Sequence, residues 1–116
     1  MEQLTTHHYM GNIIENTILS DLYKKRTNAG QRPAFWFWRD QHQNEVDLLI
    51  EENGNLQAVE IKSSQTFNIR LLSGLAKWQQ VSGGSAKQNA LVYAGTQYAE
   101  MENGRLLPWR QALWEL

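Results

Sequence analysis

The spacing of apolar residues divides the chain into elements. In "MGNIIENTILSDLYKKRTNAG", from about Met10, the residues Ile14, Ile18 and Leu22 recur at helical intervals. The stretch ends in Lys24, Lys25 and Arg26 and then Gly30, which predicts a first helix whose basic end suits the negative pole of its dipole. "AFWFWRD" carries aromatics on both parities, Phe35 and Phe37 on one side and Trp36 and Trp38 on the other, as expected of an interior strand covered on both faces. Two alternating runs then flank Asn53-Gly54, a dipeptide that favours a two-residue hairpin turn. "IRLLSGLAKWQQVSGG" places Leu72, Leu75 and Trp78 or Gln79 at helical intervals and closes on a glycine pair, predicting a second helix. "NALVYAG" is a short continuous apolar run, the mark of a buried strand, and the helix before it allows a parallel pairing. The tail, "GRLLPWRQALWEL", predicts one more short strand or edge segment around Pro108, then a terminal turn packing Trp109 and Trp114. The order helix, strand, strand, strand, helix, strand describes an α/β fold: a mixed sheet with helices on its faces.

The hairpin has a register that the turn dictates. Glu52 faces Asn55, Ile50 faces Gln57, Leu48 faces Val59, Asp47 faces Glu60 and Glu45 faces Lys62. Alternation then sets Val46, Leu48, Ile50, Val59 and Ile61 on one apolar face, and gathers Glu45, Asp47, Glu60 and Lys62 on the other. Opposed Cβ atoms lie roughly 4.5–5.5 Å apart, close enough for two carboxylates to share one ion at an Mg–O distance of about 2.0–2.1 Å. Without a cation such a pair repels, and one of its carboxyls has a raised pKa. The cluster is either a solvated charged face or a cation site in which Lys62 orients or deprotonates a water that attacks a phosphodiester. The charges lie away from the turn, where the strands enter the domain, which favours the site. Glu15 falls inside the apolar arc of the first helix. A carboxylate there must be satisfied, either as a core residue by Arg39 or backbone amides, or by pointing at the hairpin cluster.

Composition narrows the chemistry. At 116 residues the chain has room for one core, and five Trp are its one compositional oddity. These aromatics fill a small core, stack bases, or cover a homodimer interface. The lack of cysteine excludes disulfides and thiolate sites, which moves Mg²⁺ or Mn²⁺ on carboxylates to the front. A net charge of −1 provides no global basic footprint for nucleic acid. No run is long and apolar enough for a membrane span, and "MEQLTTHHYMGN" lacks a signal-peptide layout, so a cytoplasmic location is expected. "GGSAKQ" lacks phosphate-loop spacing, and His7-His8 reads as a terminal pair rather than a metal site.

A glutamate on the first helix, then Asp, then Glu-x-Lys on a helix, strand and hairpin order resembles the PD-(D/E)xK nuclease superfamily. More narrowly, "GNIIENTILSDL", "FWFWRDQHQNEVDLLIE", "LQAVEIKSS" and "LSGLAKWQQ" look like the uncharacterised domain at the C-terminus of many prokaryotic AAA+ ATPases, a similarity running from about Gly11 to Gly95. The resemblance implies a three-layer α/β/α restriction-endonuclease-like core and a nuclease-like activity on DNA. It implies Asp47 and Glu60 as metal carboxylates, the backbone carbonyl of Ile61 as a further ligand, Lys62 as the catalytic lysine and Glu15 as the assisting helix glutamate. Arg39 and Glu45 belong to its "WRD…NEVD" signature, where ion pairing would support the site. Gly11, Gly74 and Trp38 read as packing residues. The chain is expected to be the C-terminal part of a longer ATPase. Because the superfamily includes members that keep the fold without cleaving anything, a non-catalytic accessory domain binding nucleic acid or protein is the alternative.

Overall fold

The computed structural model describes residues 2–3, 13–84 and 88–116. His7, His8, Gly11, Lys87 and the expected start of the first helix lie outside them. One mixed sheet holds seven strands: β1 (Glu2–Gln3), β2 (Ala34–Arg39), β3 (Glu45–Glu52), β4 (Asn55–Ile61), β5 (Ala90–Tyr93), β6 (Ala99–Met101) and β7 (Gly104–Pro108), in the order β1-β2-β3-β4-β5-β7-β6. The first four are antiparallel neighbours, β4, β5 and β7 run parallel, and β6 returns antiparallel at the edge. The helices are α1 (Ile13–Asn28), α2 (Ser73–Ser82), entered through a 3-10 turn over Ile69–Leu72, and α3 (Trp109–Glu115).

Both faces of the sheet are covered. Ile18 and Leu22 of α1 and Ala112 of α3 pack with Phe35, Leu48, Ile50, Val59, Ile61 and Val92. On the other side Leu75 and Trp78 of α2 pack with Trp38, Val46, Leu49, Ala58, Leu91 and Leu106. Each fully buried Leu or Ile contributes about 1.5–3 kcal/mol over an exposed one. β5 alternates between the two clusters, which is why its sequence is apolar without a break. Trp38 meets Trp78 edge to face at 5.5 Å, so the expected packing role of Trp38 holds. The basic end of α1 ties it to the C-terminal helix: Lys25 Nζ and Arg26 Nη2 donate to the carbonyls of Leu113 and Leu116, at 2.5 and 2.9 Å.

The order helix, strand, strand, strand, helix, strand is present from α1 to β5, and the tail departs from expectation. The expected short strand ending at Pro108 is β7, but a helix, α3, replaces the expected turn, and β6, in the residues just before the tail, pairs with β7 as a hairpin. Three residues of β6 are too few to show an alternation. α3 turns Trp109, Ala112 and Leu113 inward at helical spacing, and that leaves Trp114, expected to pack, 86 % exposed.

The hairpin turn forms as its dipeptide predicts, with Asn53 and Gly54 both at positive φ (54° and 81°), the two-residue geometry that matches strand twist. Pairing then follows the expected register from Glu52 and Asn55 to Leu48 and Val59. Two expectations fail beyond that point. Val46 does not share a face with Leu48 and Ile50: Trp36 pairs with Leu49 but Trp38 with Val46, so Asp47 and Leu48 together oppose the single residue Phe37. This bulge turns Val46 to the α2 side. The β3–β4 ladder also ends at Leu48 and Val59, so Asp47 and Glu60 are not ladder partners, nor are Glu45 and Lys62. Glu45 pairs instead with Arg39 of β2, and the Lys62 N–H donates to the Val92 carbonyl of β5, at 2.8 Å.

Candidate functional site at the open end of the hairpin

Where the ladder stops, backbone groups still need partners, because an unpaired buried N–H is costly. Two side chains supply them. Glu60 Oε1 accepts from the Asp47 N–H at 2.9 Å, and Asp47 Oδ2 accepts from the Ile61 N–H at 2.8 Å. Each carboxyl thus reaches across to the other strand's backbone, which holds the two acids against one another. Lys62 Nζ lies 3.3 Å from Glu60 Oε2, with the Glu60 side chain only 3 % exposed.

Burial sets the electrostatics. It pushes the Glu60 carboxyl well above its ordinary value, and the neighbouring Asp47 pushes it further. Asp47 is raised as well, by burial, against the opposing pull of Glu60, the Ile61 amide and Lys62. Glu15, half-buried on α1, is lifted to about 7 by burial first and then by Asp47 and Glu45, while Lys62 draws it down. Burial alone would lower the Lys62 ammonium, yet Glu60 and Asp47 together outweigh it and hold the group above its usual value. Three acids that resist ionising surround one lysine that keeps its proton.

Four expected residues, Glu15, Asp47, Glu60 and Lys62, are therefore coupled at one place, reached from α1, β3 and the end of β4. Ile61 is there too, but its side chain is buried in the α1 cluster. Arg39 bonds Glu45 at 3.2 Å, both about half exposed, as the ion-pairing expectation required. Glu45 in turn contributes to the field at Asp47 and Glu15. The bulge at Asp47-Leu48 was missed, although the unbroken run Leu48-Leu49-Ile50 departs from strict alternation and signals it. The closeness of Gly74 to Glu60 was missed too, and a glycine in a predicted helix carries no sign of what it touches.

The donors are hard carboxylate oxygens. Among the described residues no three His, Asp or Glu side chains group to hold a metal ion, but Mg²⁺ is commonly bound by one or two carboxylates with water completing the shell. Two carboxyls raised by burial, Glu60 further by its neighbour Asp47, fit such an ion, because its charge favours their ionised forms.

The fold and site define an α/β domain with a crossed carboxyl pair, one member buried, and a lysine at the open end of a hairpin. The chain belongs to a domain family of unknown function, DUF4143, whose model matches residues 10–112. No curated protein and no solved structure matches it. No helix among the described residues is long and apolar enough to cross a membrane.

Proposed function

We propose that the domain is a Mg²⁺- or Mn²⁺-dependent nuclease of the PD-(D/E)xK type with a restriction-endonuclease-like core, hydrolysing DNA phosphodiesters as part of a longer protein with an AAA+ ATPase module. The observation that carries this reading is the crossed pair of Asp47 and Glu60, each bonded to the other strand's backbone, with Lys62 on Glu60. Asp47, Glu60 and the Ile61 carbonyl would hold the ion. When bound, it supplies Lewis-acid stabilisation of the phosphate and a hydroxide at neutral pH.

The chain's own groups divide the remaining work. A lysine held above its usual pKa is a poor base, so Lys62 orients the attacking water and meets the charge that develops on the phosphate. Glu15, with its carboxyl at about 7, is suited to exchange a proton near neutral pH. Arg39 and Glu45 brace the rim. Lys62→Ala should abolish Mn²⁺-dependent cleavage of plasmid or single-stranded DNA while the protein remains folded by circular dichroism. Cleavage at the wild-type rate in that variant rules the mechanism out.

A net charge of −1 weighs against tight binding of a DNA substrate and so leaves a second reading, a catalytically inactive accessory domain of the ATPase that binds protein or, more weakly, nucleic acid. Metal uptake without any cleavage, by the domain or by the intact ATPase, would select it.

A further inference from the structure

Gly74, the second residue of α2, is buried. A β-carbon placed on it would overlap the backbone carbonyl oxygen of Glu45 in β3 and stand 3.1 Å from Oε2 of Glu60. The first obstacle is main chain, so no side-chain rotation relieves it and either helix or strand must move. Gly54 and Gly83 differ: they have open space around them and answer a positive φ. What position 74 demands is room.

The first turn of α2 has no acidic residue of its own. Its positive dipole end stands beside the Glu60 carboxyl, which arrives from β4. Through Oε1 that carboxylate takes the Asp47 N–H, and through Oε2 it pairs with Lys62. Gly74 therefore lies where α2, β3 and β4 meet around the buried acid.

We infer that Gly74 is a positioning residue: the missing side chain lets the first turn of α2 close on the Glu45 backbone and on Glu60, and this closure keeps the crossed carboxylates in the arrangement that accepts a metal. Its functional consequence rests on the metal-site proposal above.

The test compares Gly74→Ala with Trp78→Phe in the full chain. Trp78→Phe loosens α2 one turn beyond Gly74, where Trp78 meets Trp38 and lines a cavity with Gly54, Asn55 and Leu56 at the turn end of the hairpin. In Gly74→Ala the Asp47 and Ile61 amides should lose exchange protection and their hydrogen-bonded NMR shifts, and Mn²⁺ affinity should fall on the order of tenfold. Trp78→Phe should lower the melting temperature and leave all three unchanged. Wild-type amides and affinity in Gly74→Ala, or equal losses in Trp78→Phe, overturn the inference. If Gly74→Ala does not fold, native-state hydrogen exchange of the wild type decides: the Asp47 and Ile61 amides should open together with α2, and protection that outlasts the opening of α2 overturns it. A wild type that takes up no Mn²⁺ removes the metal proposal alone, since the amide comparison needs no metal.

Discussion

The two ends of the β3–β4 hairpin are built on opposite principles. At the turn, Asn53 and Gly54 adopt positive φ, the ladder is regular, and Glu51, Asn53 and Asn55 are exposed. Every requirement there is met within a few residues of the chain. At the open end the ladder has stopped, a bulge has turned Val46 over, and the buried Glu60 and half-buried Asp47 fill the gap with their oxygens on each other's backbone. Nothing local favours that arrangement. It persists because α1 and α2 close over it and because Lys62 partly neutralises it, so the core supplies the free energy that burying the acids consumes. The regular end stabilises the fold, and the irregular end gives up stability where the proposed site lies.

That contrast can be broken most sharply at the acids. Asp47→Asn and Glu60→Gln should each lower Mn²⁺ affinity by on the order of 100-fold or more, since both remove a ligand. In thermal melts without metal, the same variants should unfold at or above the wild-type temperature, because an amide oxygen can still accept the backbone N–H while the group that burial keeps from ionising becomes neutral. A large loss of stability in either would show that the pair is structural.

At the turn the effect should reverse. Gly54→Ala forces a side chain to φ 81°, and it should cost roughly 1–2 kcal/mol in urea unfolding with Mn²⁺ affinity unchanged. A change in affinity would mean that the two ends are not independent.

Proton linkage offers a gentler probe. A carboxyl whose pKa is higher folded than unfolded binds its proton more tightly in the native state, so stability is lost as pH rises through that window and regained as pH falls. For Glu15 the window runs from the ordinary 4.5 to about 7, and Glu60 acts in the same direction. The metal-free protein should thus melt a few degrees higher near pH 5 than near pH 7.5. Glu15→Gln combined with Glu60→Gln should flatten the difference, whereas an unchanged pH profile would remove these two acids as its cause. The smallest effect belongs to the rim: Arg39→Ala should cost about 0.2–1 kcal/mol, less at high salt, as exposed pairs do.

Legibility in the sequence follows the same division. Helix spacing, the Asn53-Gly54 turn and the unbroken run of β5 are short-range signals, and they located α1, α2 and the strands from β2 to β5. The choice of Glu15, Asp47, Glu60 and Lys62 as one group also follows from chain patterns, since parity and helix phase bring them to a common region. What could not be read was the means of assembly. Extending the turn's register to Glu45 and Lys62 assumed that β3 and β4 answer only to each other, whereas each end is held by its outer neighbour, Arg39 or Val92. Trp114 was misplaced because the tail read as a turn, and only a full helix shows which side of Trp109 faces the core.

The central claim, that the open end of this hairpin takes a divalent cation while the turn end does not, is tested most directly by titrating Mn²⁺ into isotopically labelled protein and following amide signals. Paramagnetic broadening should begin at Asp47 and at Glu60 to Lys62, spare Asn53 and Gly54, and vanish in Asp47→Asn. Broadening that is absent from the wild type, or that spreads equally to both ends, would contradict the account.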